Sequence, residues 1–295
     1  MHGDRNTSFF HLITLIRRSF NKITCIENEY GILTHDMEEV KCFFFFFFLE
    51  GFKSLYQTKM VSSSISNQID LRWCVQITQA NAKTLSLPPF DLEISNALFA
   101  MKHIKALGPD GIHADFFQRF WGNVGDSVKY EIKQIFLDRN PPPPHLNQTL
   151  IALTPKQDGP TSISHFGPIS LCNSIYKILS KILVHRLKHL IPSLVSPLQS
   201  AFVAGRRSSD NVIIAQELIH SLKRRKWREG FMVIKIDLEK AYDRLEWCFI
   251  RMVLDHFGFP KNFSELILSC ISTTSTSLLF NCSKLEAFSP SRGIR

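Results

Sequence analysis

Apolar positions at helical spacing run through most of this chain, broken by short stretches in which they alternate. Residues 1–60 read as mostly helical, with a turn at Glu29-Tyr30-Gly31. Phe44, Phe48, Phe52 and Leu55 fall on one helical face, so part of the block Phe43 to Phe48 is expected to point into a core. The other phenylalanines of that block either bury as well or form an exposed patch that invites aggregation. Residues 60–70 are Ser-rich and read as a surface loop or linker. Beyond Pro88-Pro89, Asp91 is placed to cap a helix in which Ile94, Ala97, Leu98 and Met101 keep helical spacing. Gly108-Pro109-Asp110-Gly111 is a turn. A second helix is predicted from about Ala114 to Leu137, stopped by the stiff run Pro141 to Pro144.

The second half changes character. Thr149 to Thr154 reads as a short strand, and Leu171, Ile175, Ile178, Leu179, Ile182 and Leu190 mark a long amphipathic helix. Asp210 opens another helix, which ends in the basic cluster Lys223, Arg224, Arg225, Lys226, Trp227 and Arg228. Phe231 to Asp237 carries the clearest alternation. Met232, Ile234 and Ile236 share one face, and Phe231, Val233, Lys235 and Asp237 share the other. A helix is expected directly afterwards, with Tyr242, Leu245, Phe249, Met252 and Val253 at helical spacing and Gly258 and Pro260 closing it. Thr276 to Phe280 is one more candidate strand. The pattern predicts an α/β fold in the α+β sense.

Composition narrows the function classes. The 295 residues allow one or two domains, and 44% apolar with 21% charged residues is the balance of a globular protein. Lys plus Arg exceeds Asp plus Glu by 35 to 26, giving +9. That suits a polyanionic partner such as nucleic acid without deciding for one. The longest unbroken apolar run, Cys42 to Leu49, is eight residues, where a membrane-spanning helix needs about 20; no membrane partner is expected. The N-terminus has no basic-then-apolar leader. Seven scattered cysteines without a Cys-x-x-Cys argue for a reducing intracellular compartment, nucleus or cytoplasm, and against a disulfide framework or zinc ribbon.

Candidate chemistry starts at Asp237. It ends an apolar strand just before a helix, where a sheet holds a carboxylate rigidly at its edge; a plain helix N-cap fits the same junction and is the commoner case. The magnesium-holding Asp of a P-loop nucleotidase would require an upstream Gly-x-x-x-x-Gly-Lys-Ser/Thr loop, which the chain lacks. His185 and His189 have the four-residue spacing of zinc proteases, but Arg186 stands where a Glu is required, so a solvated basic face is the expectation. No Gly-x-Ser-x-Gly is present. Lys223 to Arg228 reads as a solvated helix end, and the interleaved Trp227 also suits a nucleic-acid contact.

Taken in order, six blocks carry a resemblance. They are Gly3-Asp4-Arg5-Asn6-Thr7-Ser8-Phe9-Phe10-His11, Ala106-Leu107-Gly108-Pro109-Asp110-Gly111, Leu153-Thr154-Pro155-Lys156, Gly167-Pro168-Ile169-Ser170-Leu171-Cys172-Asn173, Gln199-Ser200-Ala201-Phe202-Val203-Ala204-Gly205-Arg206 and Lys235-Ile236-Asp237-Leu238-Glu239-Lys240-Ala241-Tyr242-Asp243. The sequence resembles the reverse transcriptases of LINE-type retrotransposons, those without long terminal repeats, and particularly the plant ones. The likeness spans nearly the whole chain and is poorest around Phe43 to Phe48.

The resemblance implies a polymerase right hand: a helix-rich N-terminal extension and linker (1–88), a helical pre-fingers segment (89–148), then fingers and a partial palm (149–295). It implies RNA-templated DNA synthesis with Mg2+, an RNA template and a DNA primer. By resemblance, Asp237 is the first metal-binding carboxylate of the palm, the Leu238 carbonyl is a further metal ligand, and Tyr242 is the aromatic that blocks a ribose 2′-hydroxyl. Core packing on a helix explains Tyr242 equally well. Lys156 matches a fingers lysine that reaches the nucleotide's phosphates. Arg206 and the Lys223, Arg224, Arg225, Lys226 and Arg228 cluster are candidate nucleic-acid contacts. The family usually has Arg where this chain has Gly167, and it continues into a Gln-Gly-Asp-Pro block and an Ala-Asp-Asp hairpin, neither of which occurs here. The expectation is therefore a truncated polymerase, inactive alone. The alternatives are a catalytically dead nucleic-acid-binding remnant or a non-functional gene fragment.

Overall fold

A computed structural model describes residues 8–27, 31–46, 50–58, 75–103, 106–138, 141–162, 165–224 and 232–294. The N-terminal part places α1 (Ser8–Asn21) before a two-strand pairing of β1 (Ile26–Glu27) with β2 (Leu33–Thr34), followed by α2 (Met37–Phe44) and α3 (Glu50–Tyr56). The mostly helical expectation thus holds with a small antiparallel pair added. Asp36 caps α2, its carboxylate accepting from the Glu38 amide at 2.9 Å. Phe44 is fully buried, against Phe280 at 4.6 Å between ring centroids, while Phe45 and Phe46 are exposed. Phe48 lies outside the described residues, as do Glu29, Tyr30 and the Ser-rich stretch 60–70.

Four helices follow: α4 (Gln79–Ser86), α5 (Asp91–Phe99), α6 (Ala114–Arg119) and α7 (Trp121–Leu137). Asp91 does not cap α5. Phe90 takes the cap position without a side-chain bond, and the Asp91 carboxylate reaches Lys133 of α7 at 2.5 Å. The Lys133 hydrogen bond holds the Asp91 carboxyl below its ordinary pKa. Its sign is that of a depressed acid, so this tie is present above the ordinary carboxylate range and fades only as acid protonates Asp91. The single helix expected over 114–137 is two, broken at Phe120, whose φ of −102° and ψ of 23° leave the helical region.

The second half contains β3 (Gln148–Pro155), β4 (Phe166–Cys172), α8 (Ser174–Lys188), α9 (Ile191–Leu194), α10 (Ser208–Arg224), α11 (Trp247–His256), α12 (Lys261–Ser272), β5 (Ser275–Phe280) and β6 (Ser283–Phe288). The sheet order is β4-β3-β5-β6, with β3 and β5 parallel and both outer pairs antiparallel. Alternation in β3 buries Thr149, Ile151 and Leu153 on one face. Ile151 and Leu153, with Leu278 and Phe280 of β5, meet Ile23, Ile26, Val40 and Phe44, so the N-terminal elements and the sheet share one core. Helix α8 serves two further cores: Ile178 and Ile182 pack with α5 and α7, and Leu179 and Leu183 pack with α9 and α12.

Three sequence expectations need correction. Leu171 belongs to β4, not to a helix; the helix starts at Ser174, because Leu171 pairs with Leu150 across the ladder. Strand β6 was not anticipated, since its pattern Ser-Lys-Leu-Glu-Ala-Phe is polar and lies at an exposed edge. The described part of Phe231 to Asp237 is not a strand: Phe231 lies outside the described residues, and residues 232–238 are exposed and run without a ladder partner among the described residues. A lone extended segment cannot satisfy its backbone groups within a sheet. Nor does a helix follow at once: residues 239–244 form turns, with Lys240 at φ +50°, and α11 begins only at Trp247.

The Gly108-Pro109-Asp110-Gly111 turn locks the helical segment onto the sheet's end. Asn173 Oδ1 accepts from the Asp110 amide at 3.1 Å, Asn173 Nδ2 donates to the His145 carbonyl at 2.8 Å, and Ser174 Oγ donates to the Ile112 carbonyl at 2.8 Å. A Cβ on Gly108 would stand 2.6 Å from the backbone nitrogen and Oδ1 of Asn173. We expect Gly108→Ala to cost about 1–3 kcal/mol through overpacking. Gly122→Ala, with open space around it in α7, should leave stability unchanged or raise it. Urea unfolding of the two variants checks the pair, and equal midpoints would contradict the locking role.

Candidate functional site

Asp237 stands in the exposed segment 232–238, and Leu238 leads straight into the turn. That turn is held by the Asp243 and Arg244 amides donating to the Lys240 carbonyl at 3.0 and 3.1 Å. Glu239 pairs with Arg244 at 3.3 Å. Tyr242 projects from the turn, its ring edge-on to Phe202 at 6.1 Å. Phe202, at φ +62° and 90% exposed, is the aromatic of the Gln199 to Arg206 block. Two blocks far apart in sequence are thus brought side by side.

The turn and the start of α11 are braced from behind by two segments, the end of α3 and residues 291–294. The Tyr56 hydroxyl at the end of α3 donates to Asp243 Oδ1 at 2.8 Å. The Tyr56 carbonyl accepts from the Ser291 and Arg292 amides at 2.8 and 3.1 Å. Arg292 Nε donates to the Leu55 carbonyl at 2.8 Å, and its guanidinium pairs with Glu246 at 3.3 Å in a half-buried setting. The Gly293 and Ile294 amides donate to the Leu245 and Tyr242 carbonyls at 2.7 and 2.9 Å, and Trp247 Nε1 donates to the Gly293 carbonyl at 2.8 Å. Gly293 has φ +86°, and a Cβ there would approach the Asp243 carbonyl oxygen to 2.6 Å. Only glycine combines that backbone with that approach.

The other sequence-derived residues sit in distinct settings. Lys156 follows β3, is exposed, and receives backbone support from His165, whose carbonyl accepts its amide at 2.8 Å. Its stem passes over Gly167, where a Cβ would lie 3.6 Å from Lys156 Cε. Arg206 turns inward onto the chain. Its terminal nitrogens donate to four carbonyls, those of Pro192 (2.9 Å), Val195 (3.2 Å), Ser196 and Gln199 (2.6 Å), and so it organises the loop after α9. Lys223 and Arg224 are exposed in the last turn of α10; Arg225, Lys226 and Arg228 lie outside the described residues.

Asp237 and the Leu238 carbonyl are adjacent hard oxygen donors of the kind Mg2+ takes. By themselves they are two donors, and no group of three or more His, Cys, Asp or Glu side chains converges among the described residues. Sequence reading misses Tyr56, Arg292 and Gly293, because their importance lies in contacts between distant positions, 187 residues apart from Tyr56 to Asp243 and 46 from Trp247 to Gly293. A glycine after Arg292 was the available signal.

No helix among the described residues is long and apolar enough to cross a membrane. The sequence profile of the family described as reverse transcriptase (RNA-dependent DNA polymerase) matches residues 154–295. The chain is 26% identical over 295 residues, 99% of its length, to the transposon TX1 uncharacterized 149 kDa protein of Xenopus laevis, of which it covers 22%. It is 30% identical over 185 residues, 61% of the chain, to the retrovirus-related Pol polyprotein from type-1 retrotransposable element R1 of Bradysia coprophila, covering 18% of that protein. A corresponding polyprotein from type-1 element R2 of Nasonia vitripennis is 23% identical over 191 residues, 64% of the chain and 18% of the relative. The chain thus spans about a fifth of the length of each of these relatives. The matched segment runs from the end of β3 through β4 to β6 and contains the Lys156 loop, the Phe202 to Arg206 loop, Asp237 and the braced turn, and residues 154–295 are a reverse transcriptase domain of the kind carried by retrotransposons without long terminal repeats.

Proposed function

We propose that residues 149–295 form the fingers and the first part of the palm of an RNA-templated DNA polymerase, with 1–88 as an N-terminal extension and 89–148 as a helical support for the fingers. The observation that carries this reading is the exposed Asp237-Leu238 pair followed by a braced turn that presents Tyr242 beside Phe202. In that reading Asp237 and the Leu238 carbonyl would hold Mg2+, which when bound supplies charge neutralisation at the reacting phosphate. Tyr242 sets its ring where a ribose 2′-hydroxyl would collide, favouring deoxynucleotides. The Lys156 ammonium, exposed at the end of a rigid strand, meets the nucleotide's phosphates as a point charge. Arg206 supports the same function by shaping the loop that carries Phe202, and any phosphate contact it makes is secondary to that. The N-cap alternative for Asp237 loses support, because no helix follows it directly.

The exposed cations Lys156, Lys223 and Arg224, with Arg225, Lys226 and Arg228 beyond them in sequence, need only positive charge and access to hold a nucleic-acid backbone. We expect weak binding of a template-primer that declines with salt, at a log-log slope of about −0.7 per neutralised phosphate on a single strand. Filter binding across a salt series with wild type and Lys223→Ala/Arg224→Ala measures this. An unchanged slope in the double variant removes α10 from the interface.

A further inference from the structure

A groove of about 880 Å³ lies on the helical side of the molecule, between α4, α5 and α8. None of the residues assigned above to nucleotide or nucleic acid lines it. Its floor is apolar, made by Leu85, Ala97 and Ile182, and its rims carry exposed Leu87, Phe90 and Leu92 on one side and Val184 on the other. The α8 wall is basic: Lys181 and Lys188 supply its charge, His185 and the capping His189 fall on the same stripe, and all four line the groove. Glu93 is the acidic residue on the lining, and Arg186 neutralises it through two bonds at 2.7 and 2.8 Å. Lys181 is anchored by donating to the Ala100 carbonyl at 3.0 Å, so its charge is fixed at the groove's edge.

We propose that this groove docks an acidic amphipathic helix of a protein partner. The shape and the charge pattern both select that occupant. An apolar floor with exposed large side chains along its rims matches the i, i+3, i+4 face of a helix laid lengthwise. Lys181 and Lys188 stand about 10 Å apart along α8, two helical turns, the spacing of two carboxylates along one edge of a partner helix. A nucleic acid fits less well, because the floor offers hydrocarbon where phosphates and sugars need polar contacts, and the cations occupy one wall only. The α1 helix of a second copy is a poor occupant too: its only charged side chains among the described ones are Arg17, Arg18 and the neighbouring Lys22.

The test uses the full 295-residue chain and two synthetic helical peptides with the same leucine face, one bearing glutamates along its polar edge and the other lysines, together with a single-stranded RNA. Fluorescence anisotropy of each labelled probe should show saturable binding of the glutamate peptide and none of the lysine peptide. Val184→Glu combined with Lys188→Glu should weaken the glutamate peptide by at least about tenfold while leaving the melting temperature near wild type, since both side chains are exposed. Leu92→Glu, exposed on the opposite wall, should weaken it independently. Equal binding of both peptides, no binding of either, affinities unmoved by these variants, or displacement of the peptide by RNA would each overturn the proposal.

Discussion

Phe44→Ala should destabilise the chain by about 3–5 kcal/mol, the usual loss for a phenylalanine removed from a packed core. Phe44 is fully buried and stacks at a tilt on Phe280, so truncation removes contacts that join α2 to the central strand β5. Two residues along the same homopolymeric run, Phe46 is 65% exposed. Phe46→Ser should therefore change stability by no more than about 0.5 kcal/mol, and it should reduce self-association by removing exposed apolar surface. Urea unfolding followed by tryptophan fluorescence separates the two. Similar losses for both substitutions would show that the run packs as a unit, and no loss for Phe44→Ala would mean that the N-terminal elements do not share a core with the sheet.

That contrast illustrates what was legible. Helical periodicity located Phe44 on the buried face because a helix repeats every 3.6 residues and its partners need not be known to see the stripe. The same reasoning placed the α5 and α8 stripes, Ile94 with Leu98 and Ile178 with Ile182, in cores. Alternation found the two central strands, β3 and β5, and missed both outer ones, β4 and the polar β6. It also assigned a strand to Phe231 to Asp237, where the described part is unpaired. A strand is a property of two segments, and alternation describes only one of them. The site divides in the same way. Asp237, Leu238, Tyr242 and Lys156 were read from ordered motifs. The brace from Tyr56, Arg292 and Gly293 depends on where three distant segments meet, which no local pattern encodes. Arg206 was read as an outward cation, and its four carbonyl partners show an inward role that net charge cannot distinguish.

Primer extension by the 295-residue chain alone should stay at background, even where template-primer binding is measurable. In-line displacement assisted by two metal ions about 4 Å apart requires carboxylates converging from several elements. Asp237 supplies one. The two acidic side chains closest to it in sequence are engaged elsewhere: Glu239 with Arg244 at 3.3 Å, and Asp243 with the Tyr56 hydroxyl at 2.8 Å. Asp243 thus braces the turn and cannot swing forward without breaking the junction that fixes Tyr242. Among the described residues no other group completes a metal cluster. Binding and catalysis therefore separate, because a phosphate backbone is held by exposed cations, whereas chemistry needs rigid, convergent oxygens. Asp237→Asn and Asp237→Ala should each change folding stability by no more than about 0.5 kcal/mol, since the side chain is exposed and caps no helix. Deoxynucleotide incorporation by the wild-type chain that Asp237→Asn abolishes would show that the chain brings further carboxylates to Asp237 and would overturn this expectation. Incorporation indifferent to Asp237→Asn would remove Asp237 from the metal site.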